Sequence, residues 1–314
     1  MKKWPLFLGG CAAAAWAGAS CYAFYKVARR YDHNSVEEET DDKPEDQKRM
    51  GEALKRAASW LEDKQLEDVE ITSMDGLSLK GHLLRCPEET DRVVLAVHGY
   101  TGDWRDLTIF APFYYDHGWN VLFVNDRGHG ESEGNFVGFG SQDRKDVLGW
   151  IQFLISRFGP SVQILLHGWS MGGAIVLLAG AEKELPPQVK GIVADCSYTS
   201  ALEQFESVCR KKASVPPDIL LRGADLSAAL MAGYRLRDCA PIDSVDQINI
   251  PVLFVHGSGD EFVPCYMTDR LYHACKSPEK KILTVKGAGH CMSYLEGKQE
   301  FQQALEELME TACR

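Results

Sequence analysis

The stretch Val162-Gln163-Ile164-Leu165-Leu166-His167-Gly168-Trp169-Ser170-Met171-Gly172-Gly173-Ala174-Ile175-Val176-Leu177-Leu178 decides the fold of this chain. Its first five residues form a short apolar run of the kind a buried strand needs. From Met171 onward the pattern is that of a helix. Between them stands Gly168-x-Ser170-x-Gly172, with a small residue two before and two after the serine. That spacing lets a strained strand-to-helix turn form, lifts the hydroxyl clear of a sheet and points a helix N-terminus at it. Ser170 is therefore a candidate nucleophile.

Further short apolar runs lie at Val93–Val97, Val121–Val124, Gly191–Ala194, Val252–Val255 and Ile282–Val285. Helix-like stretches fall between them at Gln142–Arg157, Met171–Lys183, Tyr266–Cys275 and Tyr294–Thr311. Val69-Glu70-Ile71-Thr72 and Leu77-Ser78-Leu79 flank Asp75-Gly76, an antiparallel hairpin signal. The expected class is α/β: an open, mostly parallel sheet covered by helices on both faces. Roughly fifty residues separate the run ending at Ala194 from Pro251, far more than an ordinary connection. The segment from Ala201 to Ala232 is helix-like with Pro216-Pro217 inside it, so a small helical cap is expected at about 200–250.

A serine nucleophile needs a base, and the base needs an orienting acid. Downstream, Gly257-Ser258-Gly259-Asp260 follows one buried strand and Gly287-Ala288-Gly289-His290 follows the next. Both sit in glycine turns past strand C-termini, where ligands of open α/β sheets bind. Asp195, just after the preceding strand, is the rival acid. An oxyanion hole needs two preorganised backbone N–H donors. Met171 supplies one; the turn His98-Gly99-Tyr100-Thr101-Gly102 offers the second at Tyr100. The side chains of Tyr100 and Trp169 are expected to line the substrate pocket. In Asp126-Arg127-Gly128-His129-Gly130-Glu131-Ser132, Arg127 and His129 have a substrate-contact reading, but an Asp–Arg tie across a glycine turn is favoured.

Together these marks resemble the alpha/beta-hydrolase superfamily, from Val69 to the C-terminus. The chain looks closest to compact-capped esterases and serine-aminopeptidase-like members, many of which carry an N-terminal membrane segment. The lipase-type HGGG is missing, since His98-Gly99 is followed by a bulky residue. The resemblance implies hydrolysis of an ester or amide through an acyl-enzyme, on a small-molecule, lipid or peptide substrate, without metal or organic cofactor. Peptidase, thioesterase and acyltransferase chemistry on the same residues, and a catalytically silent binding fold, are the alternatives. An exopeptidase needs acids for the substrate amine, and Glu203, Glu206, Asp218 and Asp225 in the cap segment are the candidates.

The N-terminus reads as a separate piece. Trp4–Tyr25 carries no charge over 22 positions, with Lys2 and Lys3 before it and Lys26, Arg29 and Arg30 after it. Such a run is just long enough to cross a bilayer. A cleaved signal ending at Ala17-Gly18-Ala19 is the rival, disfavoured because the run continues into a basic stop. Nothing nearby in sequence is available to pack on it. The expected organisation is therefore a single-pass anchor at 1–30, an acidic linker at 31–48 and a catalytic domain at 49–314. Flanking charge leaves the membrane side open, with a lean toward a cytoplasmic domain. Amphipathic spacing of Met50, Leu54, Ala57 and Leu61 predicts a helix leading into that domain.

Composition bounds the rest. The 314 residues carry a net charge of −11, which offers no field for nucleic acid. Ten scattered cysteines never form a C-x-x-C pair, so free thiols are expected in place of a zinc ribbon or a disulfide framework.

Overall fold

The structure, a computed structural model, describes residues 4–30, 44–212 and 217–313. The chain runs α1 (Trp4–Ala28), α2 (Glu45–Leu61), β1 (Leu66–Thr72), β2 (Ser78–Leu84), β3 (Arg92–Val97), α3 (Ala111–Asp116) and β4 (Asn120–Val124). It continues through α4 (Asp143–Phe158), β5 (Gln163–Trp169), α5 (Met171–Gly180), β6 (Val189–Asp195), α6 (Ala201–Lys212) and α7 (Pro217–Met231). It closes with β7 (Val252–Gly257), α8 (Tyr266–Ala274), β8 (Lys280–Val285), α9 (Ser293–Glu296) and α10 (Lys298–Ala312).

The strands form one eight-stranded sheet in the order β1-β2-β4-β3-β5-β6-β7-β8. The β1–β2 hairpin and the β2–β4 pair are antiparallel, and every later pair is parallel. Strand side chains alternate between two cores because successive residues point to opposite faces. Val93, Leu95, Val97, Ile164, Leu166, Ile192 and Phe254 pack with α1, α4, α5 and α6–α8. Val94, Ala96, Leu165, Val193 and Val255 pack with α2, α3, α9 and α10. The expected last helix breaks at Gly297 into α9 and α10.

The membrane-anchor expectation is corrected here. Among the described residues, no helix is long and apolar enough to cross a membrane. The second half of α1 is instead part of the fold. Ser20, Phe24 and Ala28, spaced at i, i+4 and i+8, share one helix face and are buried. Their partner is α7: the Trp16 indole N–H donates to the Ile219 carbonyl at 3.1 Å. Gly223 makes the approach possible, because a Cβ there would lie 1.9 Å from Ser20 Oγ. Beyond the helix, Arg29 bridges Phe136 in antiparallel fashion, and Val137 N–H donates to Ala28 O at 2.7 Å. The Arg30 guanidinium donates to the carbonyls of Gly130 and Ser132. Residues 31–43, most of the stretch read as an acidic linker, lie outside the described residues.

Candidate active site

Ser170 occupies the turn between β5 and α5 with φ 56 and ψ −113, a conformation that costs a non-glycine residue about 1–3 kcal/mol. The flanking glycines are what allow it. A Cβ at Gly168 would lie 2.1 Å from Gly172 O, and one at Gly172 would lie 2.0 Å from Val97 O. No side chain fits either position, so the turn closes directly against the end of β3.

Ser170 Oγ lies 2.9 Å from His290 Nε2, and His290 Nδ1 lies 2.6 Å from Asp260 Oδ2. Asp260 is held from three further directions. Its Oδ1 accepts the backbone N–H groups of Phe262 and Val263, both at 2.8 Å. Its Oδ2 also meets His256 Nε2 at 3.1 Å. Because that nitrogen faces the Val263 carbonyl as well, it carries the proton, and His256 Nδ1 then accepts from the Thr268 hydroxyl at 2.6 Å. His256 escaped the sequence reading; its signal was a histidine four residues before Asp260 at the end of β7.

Burial would raise the Asp260 carboxyl, but its bonds to His256 and His290 outweigh that and hold it well below the usual carboxylate range. Burial likewise works against the charged form of His290. The Cys196 sulfur and the Asp260 carboxylate act the other way and lift the imidazole to about 10. Burial also pushes the Cys196 thiol well above its ordinary value, so it is neutral at neutral pH and Asp260 is the counter-charge that remains.

Asp195 is not joined to this chain of hydrogen bonds. Its side chain is fully buried, and neither carboxyl oxygen has a hydrogen-bond partner among the described residues. Burial lifts it to about 8, so it stays protonated at neutral pH. Its backbone does contribute: the Ser170 N–H donates to Asp195 O at 2.8 Å.

The turn after β3 runs alongside the serine, with the Cβ position of Gly99 3.3 Å from Ser170 Cβ. His98 fixes this turn. Its Nε2 accepts the Asp126 N–H at 3.0 Å, so the proton sits on Nδ1 and is donated to Gly99 O at 2.8 Å. Tyr100 lines a cavity of about 190 Å³ that opens on Ser170 and Met171, with Val27, Phe139, Phe205 and Phe262 among its other walls. A second cavity of about 80 Å³ lies behind Val27, Phe139 and Phe205, walled by α1, α6 and α7. Trp169 does not line the first cavity. Strand alternation turns it into the opposite core, where its ring meets Phe110 edge-on at 6.1 Å.

Arg127 is a structural tie. Its guanidinium binds Asp146 at 2.6 and 2.8 Å, Asp75 in the β1–β2 turn at 2.9 and 3.0 Å, and Gln142 at 2.8 Å. His129 is fully buried.

Comparison with known proteins places the chain in a family. A family model described as "Serine aminopeptidase, S33" matches residues 88–215. The YqkD protein of Bacillus subtilis is 30% identical over 241 residues, covering 76% of this chain and 78% of its own. The alpha/beta hydrolase domain-containing protein WAV2 of Arabidopsis thaliana is 26% identical over 242 residues, 74% of each chain. The solved Pyrococcus furiosus esterase Pf2001 superposes with a TM-score of 0.64 at 20% identity, over 82% of this chain and 92% of its own. Kinship of that length, on the same sheet, is more than a shared local motif: the chain belongs to the alpha/beta-hydrolase superfamily, and it is a hydrolase.

Proposed function

We propose that the protein hydrolyses carboxylic esters with an apolar acyl group, using Ser170 as nucleophile, His290 as general base and Asp260 as orienting acid. The observation that carries this reading is the run of short contacts from Ser170 through His290 to Asp260, opening onto an apolar cavity. Neutral His290 Nε2 takes the Ser170 proton as Oγ attacks the ester carbonyl. Asp260 fixes the Nδ1–H tautomer and stabilises the imidazolium that forms.

The oxyanion falls to the Met171 and Tyr100 N–H groups, each worth on the order of 3 kcal/mol. In a trans peptide the N–H points away from the carbonyl. With Gly99 O held by His98, the Tyr100 N–H is turned to the other side of the strand end. The imidazolium then protonates the leaving alkoxide, and water repeats the sequence to free the acid.

Two features favour an ester over an aminopeptidase substrate. The cavity walls are aromatic and aliphatic apart from Ser170, Gln204 and the tyrosine hydroxyls. Three of the four acids expected for an amine site are already paired, Glu203 with Arg270, Glu206 with Arg210, and buried Asp225 with Arg235 and Arg237, and the fourth, Asp218, is exposed and does not line this cavity. The test is turnover of nitrophenyl esters from acetyl to palmitoyl, beside aminoacyl anilides, on the full chain and on Ser170→Ala. Ester turnover that vanishes in the variant is the expected result. Turnover of anilides alone makes the protein a peptidase, and ester turnover surviving in Ser170→Ala refutes the assignment.

A further inference from the structure

Two cysteines sit beside the proposed base, and acyl transfer uses neither. Cys196 follows β6 and Cys291 follows His290. Both hold left-handed backbone, with φ 44 and φ 64, uncommon for a residue bearing a side chain. These turns bring the two sulfurs to 3.6 Å. With His290 they form a cluster whose three ligand atoms lie within 4.8 Å of one another. Cys196 is fully buried, while Cys291 and His290 are partly open and give a route in.

Two thiol sulfurs and an imidazole are a donor set for zinc-like soft divalent cations. A tetrahedral site with zinc–sulfur bonds of about 2.3 Å spaces its sulfurs about 3.8 Å apart, close to the spacing already present. A disulfide, by contrast, requires closure to about 2.05 Å and an oxidant. Both ring nitrogens of His290 are already engaged, Nδ1 by Asp260 and Nε2 by Ser170. A cation that recruits either one breaks a link in that chain.

We propose that Cys196, Cys291 and His290 form an inhibitory site for a zinc-like divalent cation, whose binding removes His290 from catalysis. Binding converts the two thiols to thiolates, releasing two protons to solvent, with no change of oxidation state. Three protein ligands leave a fourth tetrahedral position for water. The blocking half of this proposal rests on the base role of His290; the binding half does not.

The test uses the full chain, reduced and freed of metal. Cadmium alone is the binding probe, read by its thiolate-to-cadmium charge-transfer absorbance. Zinc alone is the inhibition probe, read by fluorophosphonate labelling of Ser170. The expected result is a band saturating near one equivalent, lost in both Cys196→Ser and Cys291→Ser. Zinc at that stoichiometry slows wild-type labelling at least tenfold, chelator restores it, and the ratio with and without zinc returns to one in the variants. Cys291→Ser replaces the more open ligand, so the comparison stands if the buried Cys196→Ser fails to fold. No band, or a band unchanged in the variants, overturns the site. A band with labelling unaffected by zinc overturns the inhibition. Metal-free wild-type protein that never labels refutes the proposed Ser170 chemistry instead, and the cadmium band then decides the site alone.

Discussion

Replacing Phe24 by alanine tests whether α1 is built into the fold. Phe24 is 4% exposed; its ring stacks on Phe136 at 5.8 Å and meets Tyr234 edge-on at 6.4 Å. Truncating a buried phenylalanine costs about 3–5 kcal/mol, most where the walls cannot collapse into the void. Here the walls already span the cavity of about 80 Å³ that Phe24 borders, so little relaxation is available. The expected loss is about 3–4 kcal/mol, which for a domain of this size lowers Tm by roughly 6–16 °C. Tyr22, on the same helix but 64% exposed, is the internal control. Tyr22→Ala should change stability by no more than about 0.5 kcal/mol. Thermal unfolding followed by circular dichroism, with urea midpoints as a second measure, reads both variants. Equal stabilities for Phe24→Ala and Tyr22→Ala would refute the reasoning, because the stripe Ser20-Phe24-Ala28 would then not be buried in solution.

Asp260→Asn keeps an oxygen for the Phe262 and Val263 amides but presents an NH₂ group to two histidines. Ester kcat should fall by about 10³–10⁴-fold with circular dichroism unchanged; a loss under tenfold counts against Asp260 as the orienting acid. In the proposed mechanism only neutral His290 takes the serine proton, and its partners raise its pKa. In chelator, ester kcat/KM should therefore climb with pH along a limb centred above 6.5 and at most near 10. A limb centred below 6.5 would sink this argument. Gly172→Ala forces a methyl to within 2.0 Å of Val97 O. Its fluorophosphonate labelling should fall below about a tenth of wild type, and normal labelling would mean that the tight closure against β3 is wrong.

Much of this was readable because strands declare themselves by short apolar runs and the elbow by its glycines. The parallel strands fall within a few residues of their apolar runs, and Ser170, Asp260 and His290, far apart in sequence, meet beyond the C-terminal ends of β5, β7 and β8. The errors have physical causes. In the uncharged run of α1 no stripe stands out, because Ser20 and Phe24 sit among alanine, glycine and aromatic residues, and Ala28 lies beyond Lys26. Its partner α7 lies about two hundred residues away, beyond the reach of local pattern. The place of Trp169 next to Ser170 suggests the pocket, but alternation along β5 sends it to the other core. His256 hydrogen-bonds to Asp260 and to neither His290 nor Ser170, and its place four residues before Asp260 is the one trace it leaves in the sequence.

The pairing of Trp16 with Ile219 spans 203 residues, which orders events as the chain is made. At about 5–20 residues per second, α1 emerges roughly 10–40 s before the segment that covers it. For that interval the face of α1 that meets α7 is uncovered, although Phe136 is made earlier and can already meet Phe24, and a chaperone or another nascent chain competes for it. The cavity beside Ser170 shares this schedule, because its walls include Val27 from the first helix and Phe262 from near the end. A chain halted before α7 can contain a correctly turned Ser170 elbow, yet it lacks both the enclosed cavity and His290, the proposed base.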